Sequence, residues 1–180
     1  MGYGNFLPRI RADEHGFLTA NNMGLDAYVR CTCIRDGRAK PHPFLDRLTL
    51  DETQEPVLAG DPSMDEWAAH DRWFAESCEH GGYLLCERLG NISMAAHLRE
   101  FLKGLEGRPG PKFRILLTKV LYNGTHCGDW IPIDMSAELE KEVDTVLHSS
   151  DILTDSEREF FASMKRLCRA SIETGNPIVF

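Results

Sequence analysis

Two hydrophobic periods interleave along this chain without a fixed order, and that rules out most regular architectures. From Leu25 to Ile34 the side chains alternate. Leu25, Ala27, Val29, Cys31 and Cys33 fall on one side of an extended chain, and Asp26, Tyr28, Arg30 and Thr32 on the other. From Asp61 onward apolar residues recur at helical spacing instead. Strand and helix periods mixed irregularly predict an α+β fold rather than an alternating parallel sheet.

The elements expected from this reading run as follows. Pro41, Pro43, Pro56 and Pro62 make residues 40–62 mainly loop, with room for a short strand. Asp61 as N-cap and Pro62 at the first helical position start a helix. Met64, Trp67, Ala68, Phe74 and Cys78 form its inward stripe, Trp73 lies off that stripe, and Gly81-Gly82 ends it. Tyr83 to Leu89 reads as a second strand. Asn91 caps a helix with Ile92, Ala95, Leu98, Leu102 and Leu105 inward. Phe113 to Tyr122 is the most apolar run and reads as a central strand, and Trp130 to Ile133 as a short pairing strand. Ser136 caps a helix with Leu139, Val143, Val146 and Leu147 inward. Thr154 and Glu157 make a capping box for the last helix, with Phe160, Phe161, Met164, Leu167 and Cys168 buried. Ile178 to Phe180 adds to a sheet edge. The expected architecture is one domain over residues 23–180, a small and mostly antiparallel sheet packed by about four helices. Residues 1–22 show no clean period and are expected to form a loosely ordered extension, with Met23 as the natural start.

Charge limits the function classes. The 28 acidic and 20 basic residues leave a net charge of −8, which argues against nucleic-acid binding. Residues 51–80 hold nine acids and one Arg, and residues 136–160 hold eight acids and two bases. Residues 88–119 hold seven bases and two acids. An acidic face attracts a basic partner, although single charge runs commonly serve only to keep a helix face solvated. No apolar run reaches membrane-spanning length, and no secretory signal opens the chain. The expected compartment is the cytoplasm, where cysteines stay reduced.

Lys119 to Ile133 carries the densest chemistry. Thr125, His126 and Cys127 sit between Gly124 and Gly128, Asp129 follows directly, and Tyr122 and Trp130 lie on either side of the cluster. Loops of this kind often carry function, and Tyr122, Thr125, His126, Asp129 and Trp130 are candidate binding residues. Trp73, off its helix stripe, is the best candidate for a further interface anchor. The alternative is a turn whose Thr and Asp bond their own backbone. As a hydrolase site, Cys127 would be the nucleophile, His80 or His126 the base, and Asp129 or Asp26 the orienting acid. No protease or nucleophile-elbow signature surrounds Cys127.

Cys31, Cys33, Cys78 and His80 form a thiolate-rich set suited to zinc, provided the helix ends near Cys78 so that both Cys78 and His80 can reach one ion. The simpler reading of reduced cysteines is burial as small apolar side chains. No cofactor is expected otherwise.

Four stretches together carry a resemblance: Met23 to Cys33, Cys78 to His80, Leu89 to Ile92, and Val120 to Asp129. From Met23 onward the chain resembles a group of small, largely uncharacterised bacterial cytoplasmic proteins. These have a Met-Gly-Leu-Asp start, a Cys-x-Cys strand, a Cys-Glu-His element and a Leu-Tyr-x-Gly-Thr-His-x-Gly-Asp segment. The likeness covers most of residues 23–135. Proteins of this sort are similar to toxin-immunity proteins. The resemblance implies a non-enzymatic, cytoplasmic protein that binds and neutralises a partner such as a basic toxin. The alternative is a metal-supported or cysteine-dependent enzyme using Cys31, Cys33, Cys78, His80 and Cys127.

Overall fold

The computed structural model describes residues 24–106, 113–122, 126, 128–148 and 153–180. The expected extension over residues 1–22 lies outside them. The fold is α+β, with a four-stranded antiparallel sheet and a separate two-stranded ribbon. The chain runs β1 (Gly24–Arg30), a single 3₁₀ turn (Leu45–Arg47), β2 (Leu48–Leu50), β3 (Pro56–Leu58), α1 (Met64–Glu76), β4 (Tyr83–Asn91) and α2 (Ile92–Glu106). A π-helical turn (Leu116–Val120), β5 (Trp130–Ile131), α3 (Ile133–His148), α4 (Asp155–Thr174) and β6 (Ile178–Val179) complete it.

The main sheet has the order β4-β1-β6-β5. β1 pairs with β4 along its whole length, from Gly24 opposite Asn91 to Arg30 opposite Tyr83, with a bulge near each end. The tail strand β6 pairs Tyr28 with Val179 on one side and Trp130 with Val179 on the other. Ile178 and Val179 therefore lie inside the sheet rather than at its edge. Leu25, Ala27 and Val29 face the core as their alternation predicts, and α4 packs over them through Phe160, Phe161, Met164 and Leu167. The Thr154–Glu157 capping box forms as expected. Glycine at position 175 ends α4 in the left-handed region, at φ 70°.

Four further expectations need correction here. Phe113 to Tyr122 is not a central strand but a short helical segment. An apolar run of this length does not separate strand from buried helix. What decides is Glu142 of α3, whose buried carboxylate accepts the Ile115 and Leu116 N–H groups at 2.9 Å each. It thereby supplies the partner that a helix start lacks. Ser136 does not cap α3 but lies inside it, its hydroxyl 2.8 Å from that of Ser171. α1 starts at Ser63 rather than Asp61, because Ser63 and Glu66 form a reciprocal capping box. Finally, the inward stripe of α1 is only partly the expected one: Phe74 and Cys78 pack inward, but Met64, Trp67 and Ala68 do not. Trp73 is only 9% exposed and donates its indole N–H to the Lys40 carbonyl at 2.9 Å, so it is no interface anchor. Met64 and Trp67 point outward at 83% and 38% exposure. His70 and Trp73 take their place, packing against His42 in tilted and edge-on contacts.

The side of β1 away from α4 receives a second lobe built from the β2–β3 ribbon and α1. Its keystone is Arg30, which is buried, pairs with Glu55 at 2.7 Å, and lies 5.2–5.3 Å from the ring centroids of Tyr28, Phe74 and Tyr83. Three aromatic faces around one guanidinium replace part of its lost hydration.

Candidate metal centre

β1 ends at Arg30, so Cys31 and Cys33 belong to the turn that follows and not to a strand face. That turn is tied at both ends. The Cys31 N–H donates to the Gly82 carbonyl at 3.2 Å, and the Arg38 and Ala39 N–H groups both donate to the Cys33 carbonyl. Asn176, just after α4, donates its side-chain N–H to the Arg30 carbonyl at 2.8 Å and fixes the strand end to the core. On the other side, α1 stops at Glu76, with Ser77 as C-cap. This is the early stop that lets Cys78 and His80 face the same way. The chain then reverses through Gly81 and Gly82. At Gly82, φ is +84°, and a Cβ would lie 2.2 Å from the Phe74 ring, so only glycine fits.

These two turns bring four donors together. The Cys31, Cys33 and Cys78 sulfurs and a His80 ring nitrogen lie within 4.8 Å of one another. The Cys31 and Cys78 sulfurs are 3.7 Å apart, and the Cys33 sulfur is 3.3 Å from His80 Nδ1. Two thiols at one turn and a thiol and an imidazole at another form a donor set suited to a tetrahedral ion of zinc type.

The surroundings favour negative charge at one of the three sulfurs and oppose it at the other two. The backbone amides of Gly82 and His80 favour the Cys78 thiolate, and that of Cys33 favours the Cys31 thiolate. Burial pushes Cys78 upward, but those amides and the neighbouring thiols outweigh it and hold Cys78 below an ordinary thiol. Burial dominates at Cys31, which is pushed up to about 12, and it also raises Cys33. Of the three thiols, Cys78 is thus the one whose surroundings favour the thiolate, and a bound cation would have to displace the protons of the others. N–H groups aimed at ligand atoms are the kind of outer support that metal sites use.

The Tyr122–Trp130 cluster is arranged differently. Tyr122 donates its hydroxyl to the Asp129 carboxylate, and that bond pushes the phenol up to about 12. His126 Nε2 lies 2.7 Å from the Val120 carbonyl, and its ring sits between Tyr122 and Phe180. The Phe180 N–H donates to the Asp129 carbonyl at 2.9 Å. Asp129 and His126 thus bond their own loop and the tail strand. Half-buried Trp130 joins Thr118, Lys119, Tyr122 and Asp129 around a shallow groove. Thr125 and Cys127 lie outside the described residues. Asp26 is an exposed strand residue, and the centre draws on neither His126 nor Asp129.

The His42–His70 pair went unread in the sequence. His42 Nε2 lies 3.1 Å from His70 Nδ1, and both rings are buried. Residues 28 apart carry no local signal of such a contact. The Ser63–Glu66 capping box, in contrast, was there to be read as Ser-x-x-Glu.

No helix among the described residues is long and apolar enough to cross a membrane. A scan against protein-family models, a search of curated proteins and a search of solved structures each return no match to this chain.

Proposed function

We propose that this chain is a zinc-stapled, non-enzymatic binding protein that neutralises a protein partner, in the manner of toxin-immunity proteins. The observation that carries the zinc is the convergence of Cys31, Cys33, Cys78 and His80, with donor atoms all within 4.8 Å. Three thiolates and one imidazole complete a tetrahedral shell. Closed shells of this kind serve structure, whereas catalytic zinc keeps three protein ligands and an open position. The ion would join two turns 47 residues apart in sequence and so fasten the α1 lobe to the main sheet. Reduced thiolates of this kind suit the cytoplasm.

Support for a binding role comes from charge. A net charge of −8 favours a basic partner and speeds its encounter. The competing reading, a metal-supported or cysteine-dependent enzyme, requires an ion with a free coordination position or a thiolate aligned with a base.

Substituting cobalt for zinc tests the proposal. Four-coordinate cobalt held by three thiolates should give intense ligand-field bands and thiolate-to-metal charge transfer, and added azide or cyanide should leave the spectrum unchanged. A spectrum that shifts on adding those ligands would reveal an open position and favour the enzyme.

A further inference from the structure

The two acidic stretches of this chain differ in a way that the sequence hides. Those on α3 and α4 are largely neutralised within the fold. Glu138 pairs with Arg114, Glu140 with Arg169, Asp144 with Lys165 and Glu159 with Arg166. Around the start of α1 the opposite holds. Asp46, Asp61, Asp65 and Asp71 are all exposed, and none makes an ion pair among the described residues. The nearby Arg47 is already committed to Glu66 at 2.6 Å. Among the described residues, unpaired carboxylates therefore cluster around the start of α1, with Arg72 as the exposed Arg of that helix, while Asp26, Asp134, Asp155 and Glu173 stand unpaired and apart in sequence elsewhere.

The same lobe exposes large apolar side chains. Met64 is 83% exposed, Leu45 66% and Trp67 38%. Leu45 and the α1 pair lie on the same lobe, where the Arg47–Glu66 ion pair at 2.6 Å ties the two segments together. Met64 and Trp67 are one turn apart on α1. Trp67 meets His70 edge-on at 5.7 Å, His70 lies against His42, and His42 against Phe44, the neighbour of Leu45. Isolated exposed apolar residues need no explanation, but a grouped set rimmed by charge marks an interaction site. An indole with a buried ring behind it is the type of anchor that dominates binding energy.

We infer that the face formed by Leu45, Met64 and Trp67, ringed by Asp46, Asp61, Asp65 and Asp71, is the docking surface for a cationic protein segment that carries an apolar anchor. This rests on the binding role proposed above and names its surface. Charge complementarity selects the occupant. Four unpaired carboxylates repel acidic surfaces and nucleic acid, and they favour Lys and Arg flanking an aliphatic or aromatic group. His70, itself packed against His42 and Trp73, meets the Trp67 ring from behind, so that anchor is held in place before a partner arrives.

The test is an NMR titration of the intact, metal-loaded protein with a helical peptide of Leu and Lys, using as comparator the same peptide with Glu in place of Lys. Saturable shifts are expected at residues 44–47 and 61–72 with the Lys peptide only, and added salt should weaken them. Met64→Lys with Trp67→Lys changes exposed positions and should leave the melt intact while weakening binding about tenfold or more. Glu138→Lys with Glu140→Lys on α3 should leave affinity within about twofold, since those acids are already paired. Shifts centred on α3, or an affinity that survives the Met64/Trp67 change, overturn this surface and leave the binding role standing. Saturable binding to neither peptide overturns both.

Discussion

Cys33 and His80 meet 47 positions apart, sulfur to Nδ1 at 3.3 Å, and their contact joins the end of β1 to the end of α1. Neither residue is held by its own element. Both lie in turns fixed by backbone bonds to the other, Cys31 N–H to Gly82 and Lys40 N–H to Ser77. The centre is thus an interlock between two parts of the fold.

Removing one ligand should therefore loosen the lobe and not the core. Cys33→Ser or His80→Ala is expected to lower stability by about 2.7 kcal/mol, the linkage value when free metal stands at about a hundred times its dissociation constant. Hydrogen exchange should speed up over residues 31–82 and stay slow in α3 and α4. Uniform acceleration across the chain would contradict this division.

The capping box of α4 sets an acid limit on stability. Burial pushes Glu157 upward, but bonds from the Thr154 hydroxyl and N–H and from His97 outweigh it and hold the carboxyl below its ordinary range. A lowered folded value means that the unfolded chain binds protons more readily there. The stabilisation is fully present above the unfolded carboxylate value and is lost as pH falls through the folded one. Thr154→Ala should cost about 1 kcal/mol near neutrality, and the urea midpoint of Glu157→Gln should fall less steeply with acid than that of the parent.

Glu142 behaves in the opposite sense. Burial lifts its carboxyl above the usual range, against the Ile115 and Leu116 N–H bonds that favour the charged form. Its contribution is complete below the unfolded value and declines as pH rises through the folded one. Glu142→Ala leaves two buried N–H groups without their acceptor and should cost about 2 kcal/mol or more. A denaturant melt showing a loss well below that would mean that the π-helical turn rearranges to find other partners.

The Tyr122–Asp129 bond makes the loop a structural device. Asp129→Ala removes the acceptor that holds the phenol up to about 12. Ultraviolet titration should then show one tyrosine returning toward the ordinary phenol range. With His126→Ala added, stability should fall by about 1 kcal/mol per lost hydrogen bond. Lost partner binding with an unchanged melt would instead make the cluster a recognition site.

Much of the fold was legible because its signals are local. Leu25, Ala27 and Val29 alternate into the core, Asn91 caps α2 by accepting the Met94 N–H, and Thr154 and Glu157 mark the start of α4. The misreadings share one cause, a decision made by distant residues. The Phe113–Tyr122 segment is helical because Glu142 meets its amides. α1 turns Trp73 inward because the Lys40 carbonyl and His42 wait for it. The four metal donors were visible as types, yet their convergence depended on where α1 stopped, which Gly81 and Gly82 hinted at without settling. Which acids remain unpaired was not legible at all, since Arg114, Lys165, Arg166 and Arg169 reach theirs only in the folded chain.

The most direct test of the proposed zinc centre is metal content joined to a melt. Protein purified without added metal or chelator should carry about one equivalent of zinc. A strong chelator should remove it and lower the melting temperature, and restoring zinc should recover the original value. Metal-free protein that melts at the same temperature with and without chelator would return Cys31, Cys33 and Cys78 to the role of small buried side chains and contradict the account.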